Sequence, residues 1–453
     1  MKIYSTYSVK IVGRNRIFRE TAAAYRSAVD FFIDVSLKEW GSISRLKGLR
    51  RNNQVERYTI KTKKRPEVPY DFSKGFYKFP SYLRRAAIAE ALGKCASYMT
   101  GLERYEGSGE GSRPGYPRAG RIYPALYRDN TYVRIDDHTA RIKVWIRNTW
   151  DWLTVKLRKT DVEYILRHCA GRKECVPSLR KRGKEWFLDF AFEESCSLND
   201  TPVQDQTILA VDLGLNQACV CSAMRPDGTV TGRYFLSLPV EKDRLDTAVN
   251  RIKKAQQKGA GRTPRLWGRA KGINRAIAVK TAGFIIGAAE KSGAHVIVFE
   301  HLDRKGKKRG RKKQKLHLWR SQYVQSIVTD KAHRLGIRVT HVNAWRTSAL
   351  AYDGSGYVER GVNGNHSLCR FRSGKEYHCD LNASYNIGAR YFIREILKSL
   401  PETERLGIGA KVPGCTRRST CTLSTLYDLH AAMAGELPVT ERRPKGGEEV
   451  LSA

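Results

Sequence analysis

Three carboxylates sit where apolar sequence would not ordinarily tolerate them. Asp212 interrupts the continuous apolar run Ile208 to Leu213, Glu300 closes the run AHVIVF at 294–299, and Asp380 opens the helical run LNASYNIGARYFIREIL. A carboxylate held in apolar surroundings costs several kcal/mol unless a cation or a hydrogen-bond network offsets it. Taken singly, each acid reads as a cap or a salt-bridge partner. Their order along the chain, at two strand ends and then a late helix start, points to one site. Two divalent ions about 3.5–4 Å apart, held by such acids, activate water and stabilise the leaving oxygen in phosphodiester hydrolysis. Magnesium suits all-oxygen ligands, with manganese as a substitute.

The elements that must position these acids follow from periodicity. Ile208 to Leu213 reads as a buried strand leading through Gly214 into a second strand, Ala218 to Ala223, and Asp227-Gly228 turns the chain into a third, Val230 to Phe235. Three hairpin-linked strands with an acid inside the first open an RNase H-like fold. Residues 241 to 292 read as helices, and Ala294 to Phe299 reads as a further buried strand. Upstream, residues 2 to 12 read as a strand, and Phe18, Ala22, Tyr25, Val29 and Phe32 recur at helical steps. A Lys/Arg-rich stretch from Arg45 to Arg65 precedes a second helical pattern over about Ser81 to Leu102. The Gly/Pro cluster Gly107 to Pro117 reads as a linker. Alternation at Val133/Ile135, Ile142/Val144/Ile146, Leu153/Val155/Leu157 and Trp186/Leu188/Phe190/Phe192 predicts half-buried antiparallel strands, hence a small β-barrel or sandwich over about 114 to 195.

Composition narrows the class of partner. The chain has 453 residues with 83 Lys plus Arg against 45 Asp plus Glu, a formal net charge of +38, so its working state is expected to include a large polyanion. With 41% hydrophobic residues it has material for packed cores and is unlike a disordered basic tail. No apolar stretch reaches the roughly 20 residues of a membrane span, and no signal peptide opens the chain, so an intracellular protein is expected. The ten cysteines are scattered without a C-x-x-C pair and read as reduced thiols. Ten basic residues and no acid lie between Arg251 and Lys280, including Arg262, Arg265 and Arg269, and nine of the twelve positions from Arg304 to Lys315 are basic, among them Arg304, Lys305, Lys307, Lys308, Arg309 and Arg311. The first run is expected to line a nucleic-acid duplex. The second, interrupted by glycines and following Glu300, is expected to guide a single strand. The segment after Pro401 carries seven basic and seven acidic residues, and its charge assigns it no binding role.

VDLGLNQ at 211–217, VFEHLD at 298–303 and HCDLNASYNIGARY at 378–391 resemble the three split motifs of the RuvC nuclease domain in the TnpB family of transposon-encoded RNA-guided nucleases and the related compact type V CRISPR effectors. The resemblance implies a multidomain α+β protein. Its parts would be a first strand of a wedge β-barrel (1–13), a helical recognition domain (14–113), the wedge barrel with a linker (114–205) and an RNase H-like RuvC α/β nuclease domain (206–345). An insertion binding the target nucleic acid (346–379), the third-motif helix (380–400) and a tail (401–453) would complete it. It implies an RNA-guided, metal-dependent DNA endonuclease acting through Asp212, Glu300 and Asp380 on two magnesium ions. The guide would be an omega-type or CRISPR RNA, the target double-stranded DNA, the favoured state one protein per guide, and the setting a prokaryotic cytoplasm, with no membrane. The alternatives are a guide-independent RNase H-like nuclease or transposase, and a non-cleaving RNA-guided regulator. The family's zinc knuckles are degenerate here, because Ala351 and Gly354 stand where the first pair of cysteines would be and Arg372 replaces a partner of Cys369. His366, Cys369, His378 and Cys379 remain, but adjacent residues rarely both ligate, so no structural zinc is expected. Turns at Asp353-Gly354-Ser355-Gly356 and Asn363-Gly364 are expected to fold the insertion instead.

Overall fold

The computed structural model describes residues 1–13, 16–108, 112–214, 217–302, 321–417 and 419–436. It contains two compact units, one formed by Lys2–Ser195 and one by the chain from Cys196 onward.

In the Lys2–Ser195 unit, β1 (Lys2–Lys10) is completed by a strand far away in sequence. The other strands are β2 (Tyr132–Arg134), β3 (Thr139–Ile146), β4 (Thr149–Lys156), β5 (Lys173–Glu174), β6 (Ser178–Arg182) and β7 (Glu185–Ser195). β1 lies antiparallel to β7, in register from Lys2 opposite Ser195 to Lys10 opposite Phe187. Helix α1 (Arg16–Lys38) buries Phe18, Ala22, Tyr25, Val29 and Phe32, the face its spacing predicts. The basic stretch holds α2 (Leu49–Thr59), and α3 (Ser81–Ser108) packs against α1. Between them Phe72 stacks on Phe32 and Phe76 at ring separations of 4.8 and 4.4 Å. A short helix, α4 (Lys159–His168), follows β4. The expected barrel does not close among the described residues: β1, β5, β6 and β7 form one open sheet, and β2, β3 and β4 another. The two meet at a corner through an isolated bridge between Ile11 and Leu157. The two-residue β5 and three-residue β2 are too short to carry a ladder around a barrel.

The unit from Cys196 onward is built on a mixed five-stranded sheet in the order β10-β9-β8-β11-β12. The strands are β8 (Ile208–Asp212), β9 (Cys219–Met224), β10 (Val230–Leu236), β11 (Val296–His301) and β12 (Arg338–Asn343). β8, β9 and β10 are hairpin-linked and antiparallel, whereas β11 runs parallel to both β8 and β12. Helices α5 (Pro239–Gln257) and α6 (Pro264–Lys291) each begin at a proline, whose fixed φ suits a helix start. α6 and α7 (Ser321–Arg334) pack Ala282, Ile285, Val324 and Val328 onto the sheet face of Leu209, Val211, Ile297 and Phe299. Helix α8 (Cys379–Ser399) covers the opposite face with Tyr385, Ile387 and Phe392. Helices α9 (Glu402–Lys411) and α10 (Leu423–Ala434) follow, and α10 buries Leu423, Leu426 and Leu429 in the same core as α8.

The insertion before α8 holds a small antiparallel sheet of β13 (Glu359–Arg360), β14 (Leu368–Arg370) and β15 (Glu376–His378). Its first turn is closed by the Ser355 N–H donating to Asp353 Oδ1 at 2.9 Å, with Gly354 and Gly356 at φ of +80° and +113°, a region that favours glycine. Ala351, Cys369, Phe371 and Cys379 form its core. Among the described residues, no helix is long and apolar enough to cross a membrane.

Candidate active site

The sheet brings the first two acids together by register alone. Val211 pairs with Phe299 across the parallel β8–β11 ladder, so Asp212 and Glu300 occupy the next position on neighbouring strands. Asp380 arrives in the first turn of α8, whose N-terminus is capped by His378 Nδ1 accepting from the Leu381 N–H at 3.3 Å. Two glycines allow the approach. A Cβ at Gly388 would lie 2.9 Å from Met224 Sδ and 3.4 Å from Ala210 Cβ, so only glycine lets α8 sit this close to the sheet. A Cβ at Gly214 would lie 2.9 Å from the Gln217 carbonyl and 3.7 Å from Asp380 Oδ2, which sets the third acid against the loop that leaves Asp212.

The electrostatics register this convergence. Burial first, then the charges of Glu300 and Asp380, push the Asp212 carboxyl well above the usual carboxylate range, with Arg360 opposing. Burial also raises Glu300, against a hydrogen bond from Thr347 and the Arg390 guanidinium. Thr347 Oγ1 donates directly to Glu300 Oε1. Hard oxygen donors whose charges repel one another match a divalent cation such as magnesium. Among the described residues no three His, Cys, Asp or Glu side chains are gathered as a ready-made metal cluster.

The Aq_aa04 family model matches residues 5–146. The uncharacterized protein aq_aa04 of Aquifex aeolicus (strain VF5) is 29% identical over 157 residues, covering 29% of this chain and 87% of the relative. A TnpB-like protein from the same organism, aq_aa05, is 23% identical over 235 residues, covering 46% of this chain and 74% of the relative. Among solved structures, Cas12f1 in its complex with sgRNA and target DNA superposes with a TM-score of 0.50 at 14% identity, covering 82% of this chain and 81% of that one. The chain resembles the TnpB-like proteins and has the fold of a compact type V effector. At this identity the Cas12f1 likeness speaks to architecture alone, and the chemistry rests on the residues described above.

Three polar residues on α8 that the sequence reading did not assign also support this site. Asn382, Asn386 and Arg390 recur every four positions and are at most 4% exposed. Asn382 donates to the Leu350 carbonyl and accepts from the Tyr352 N–H, both at 2.8 Å. Asn386 donates to the carbonyls of Thr347 and Leu350 at 2.9 Å. Arg390 donates to the carbonyls of Asn343, Trp345, Ser419 and Cys421 at 2.7 to 3.0 Å. Together they hold the segment that aims Thr347 at Glu300. A polar stripe of period four inside an apolar helix was the available signal.

The remaining candidates are spread more widely. Arg262, Arg265 and Arg269 are exposed before and within the first turns of α6. Arg304, Lys305, Lys307, Lys308, Arg309 and Arg311 lie outside the described residues. Among His366, Cys369, His378 and Cys379, His378 serves as the α8 cap, and Cys369 Sγ donates to the Tyr377 carbonyl at 3.3 Å.

Proposed function

We propose that this chain is an RNA-guided DNA endonuclease with a single hydrolytic site formed by Asp212, Glu300 and Asp380. The observation that carries the reading is the placement of Asp212 and Glu300 at adjacent ends of two parallel strands with Asp380 in the first turn of α8 beside them, where burial and then the charges of Glu300 and Asp380 raise the Asp212 carboxyl. These residues would hold two magnesium ions, with manganese as a substitute. When bound, the metal supplies Lewis acidity at the phosphate and an activated water.

The chain's own residues prepare the site. Thr347 fixes one oxygen of Glu300, and Arg390 favours its ionised form. Asn382 and Asn386 keep Thr347 in place through backbone carbonyls and N–H groups on 347–352. The net charge of +38 fits a protein that works wrapped around a guide RNA and its DNA target. Arg262, Arg265 and Arg269 are assigned to duplex backbone contacts. The run from Arg304, tethered four residues after Glu300, is assigned to strand guidance. The division into wedge, recognition, nuclease and insertion domains follows the same reading, with a prokaryotic cytoplasm as the setting and no structural zinc required. The test is to sequence the RNA that copurifies with the full chain, then replace its targeting segment. Supercoiled DNA carrying the matched target should be cut with magnesium. Cutting that ignores the guide would favour a guide-independent nuclease, and tight guided binding without cutting would favour a regulator.

A further inference from the structure

A groove of about 1470 Å³ runs beside β12, the outer strand of the nuclease sheet, and continues along α8 and α9. It exceeds the roughly 300–1,000 Å³ typical of small-molecule clefts. Its lining holds five guanidinium or ammonium groups, on Arg338, Arg390, Arg394, Lys398 and Arg405, against the single carboxylate of Glu395. Glu395 pairs with Arg394 at 2.7 Å and Lys398 at 3.5 Å, and Arg405 pairs at 3.5 Å with the exposed Glu402, a weak surface contact that a phosphate can displace. Arg338 Nε is buried without a hydrogen-bond partner among the described residues. An uncompensated donor in a basic groove calls for an anion.

At one end the groove reaches His301 and Ala344, which flank Glu300 and the segment carrying Thr347. There Trp345 stands 62% exposed. Its backbone is fixed: the main-chain N–H donates to Asn343 Oδ1 at 2.8 Å, the carbonyl accepts from buried Arg390 at 2.8 Å, and the next residue, Arg346, holds a left-handed φ of +59°. The Arg346 guanidinium lies 5.5 Å from the indole centroid. An exposed aromatic face carried on a fixed backbone and followed by a row of cations is how proteins hold single-stranded nucleic acid, with a base on the ring and phosphates on the cations.

We propose that this groove binds single-stranded DNA, with Trp345 stacking a base and Arg338, Lys398 and Arg405 taking phosphates of the segment next to the cleavage site. The inference rests on the nuclease reading, because continuity with Glu300 is what selects DNA as the occupant. The test is anisotropy of a fluorescent oligothymidylate with the full chain in EDTA, alongside oligouridylate. Trp345→Ala should weaken binding about tenfold and Trp345→Phe by much less. The triple variant Arg338→Gln, Lys398→Gln, Arg405→Gln should lower the slope of log affinity against log salt by about 2, at ~0.7 per phosphate. The double variant Lys398→Gln, Arg405→Gln changes only exposed side chains and should lower it by about 1.4, so a folding defect at Arg338 leaves the test intact. Unchanged affinity and slope, with guided cutting intact, would overturn the groove and leave the nuclease reading standing. The stated losses in a wild-type background that never cuts would uphold the groove and overturn the nuclease. Tighter binding of oligouridylate, lost in the same variants, would overturn the assignment to DNA.

Discussion

Arg390→Met separates the architecture of the site from its chemistry. Arg390 is 4% exposed, and its guanidinium donates to four backbone carbonyls, two on 343–345 and two on 419–421. Each such bond contributes about 1 kcal/mol net, so their joint loss costs roughly 4 kcal/mol. Relief of the cation's desolvation, which pulls the Arg390 pKa down, and the apolar fit of methionine return about 1 kcal/mol. The expected net loss is about 3 kcal/mol, which lowers the melting temperature by roughly 6–12 °C in a unit of this size. Arg390→Lys should recover less than half, because one ammonium cannot span four carbonyls. Thermal melts of the two variants and the wild type, without metal or nucleic acid, measure this. Removing the guanidinium also withdraws the charge that opposes the rise in the Glu300 pKa. The acid limb of any cleavage profile should therefore move to higher pH. A melting shift under about 2 °C for Arg390→Met would show that the four bonds do not hold the 343–345 and 419–421 segments, since four unsatisfied buried carbonyls cannot be that cheap.

Further outcomes follow from the same geometry. Gly388→Ala should destabilise the chain by about 1 kcal/mol in urea melts despite the better helix propensity of alanine, because its Cβ would press on Met224 and Ala210. A gain in stability would sink the close-approach argument. Burial, His301 and Arg394 lower the pKa of His341, so its contribution to stability is present above the unfolded value of about 6.5 and is lost as pH falls through the lower folded value. His341→Gln should flatten that dependence, and an unchanged pH slope would remove His341 as its source. Cys369→Ser and Cys379→Ser should lower the melting temperature by a few degrees while cutting stays near wild type, as expected of buried thiols packed with Ala351 and Phe371. Loss of stoichiometric zinc together with activity would show them to be ligands.

Much of this was legible in the sequence because it depends on local period. The α1 face from Phe18 to Phe32, the buried β8 and β11, and the placement of Asp212, Glu300 and Asp380 at element ends all follow from spacing. Closure of a barrel does not, since alternation reports which face is buried but not which strand pairs with which. β5 pairs with β7 over only two residues, a length that no alternation reveals. Charge says nothing of packing after Pro401, where Leu423, Leu426 and Leu429 are buried in the same core as α8. Asn382, Asn386 and Arg390 were visible as letters of the third motif. Their work on the carbonyls of Asn343 to Leu350 depends on a long-range contact that spacing alone does not disclose.

Whether Asp212, Glu300 and Asp380 form one hydrolytic site inside an RNA-guided protein is decided by programmed cleavage of a plasmid, comparing the wild type with Asp212→Ala, Glu300→Gln and Asp380→Ala, each loaded with the same guide. Target affinity is read alongside. The wild type should cut only the matched plasmid and only with a divalent cation, and all three variants should bind the target as the wild type does and cut nothing. Near wild-type cutting by any one of the variants would contradict the shared site.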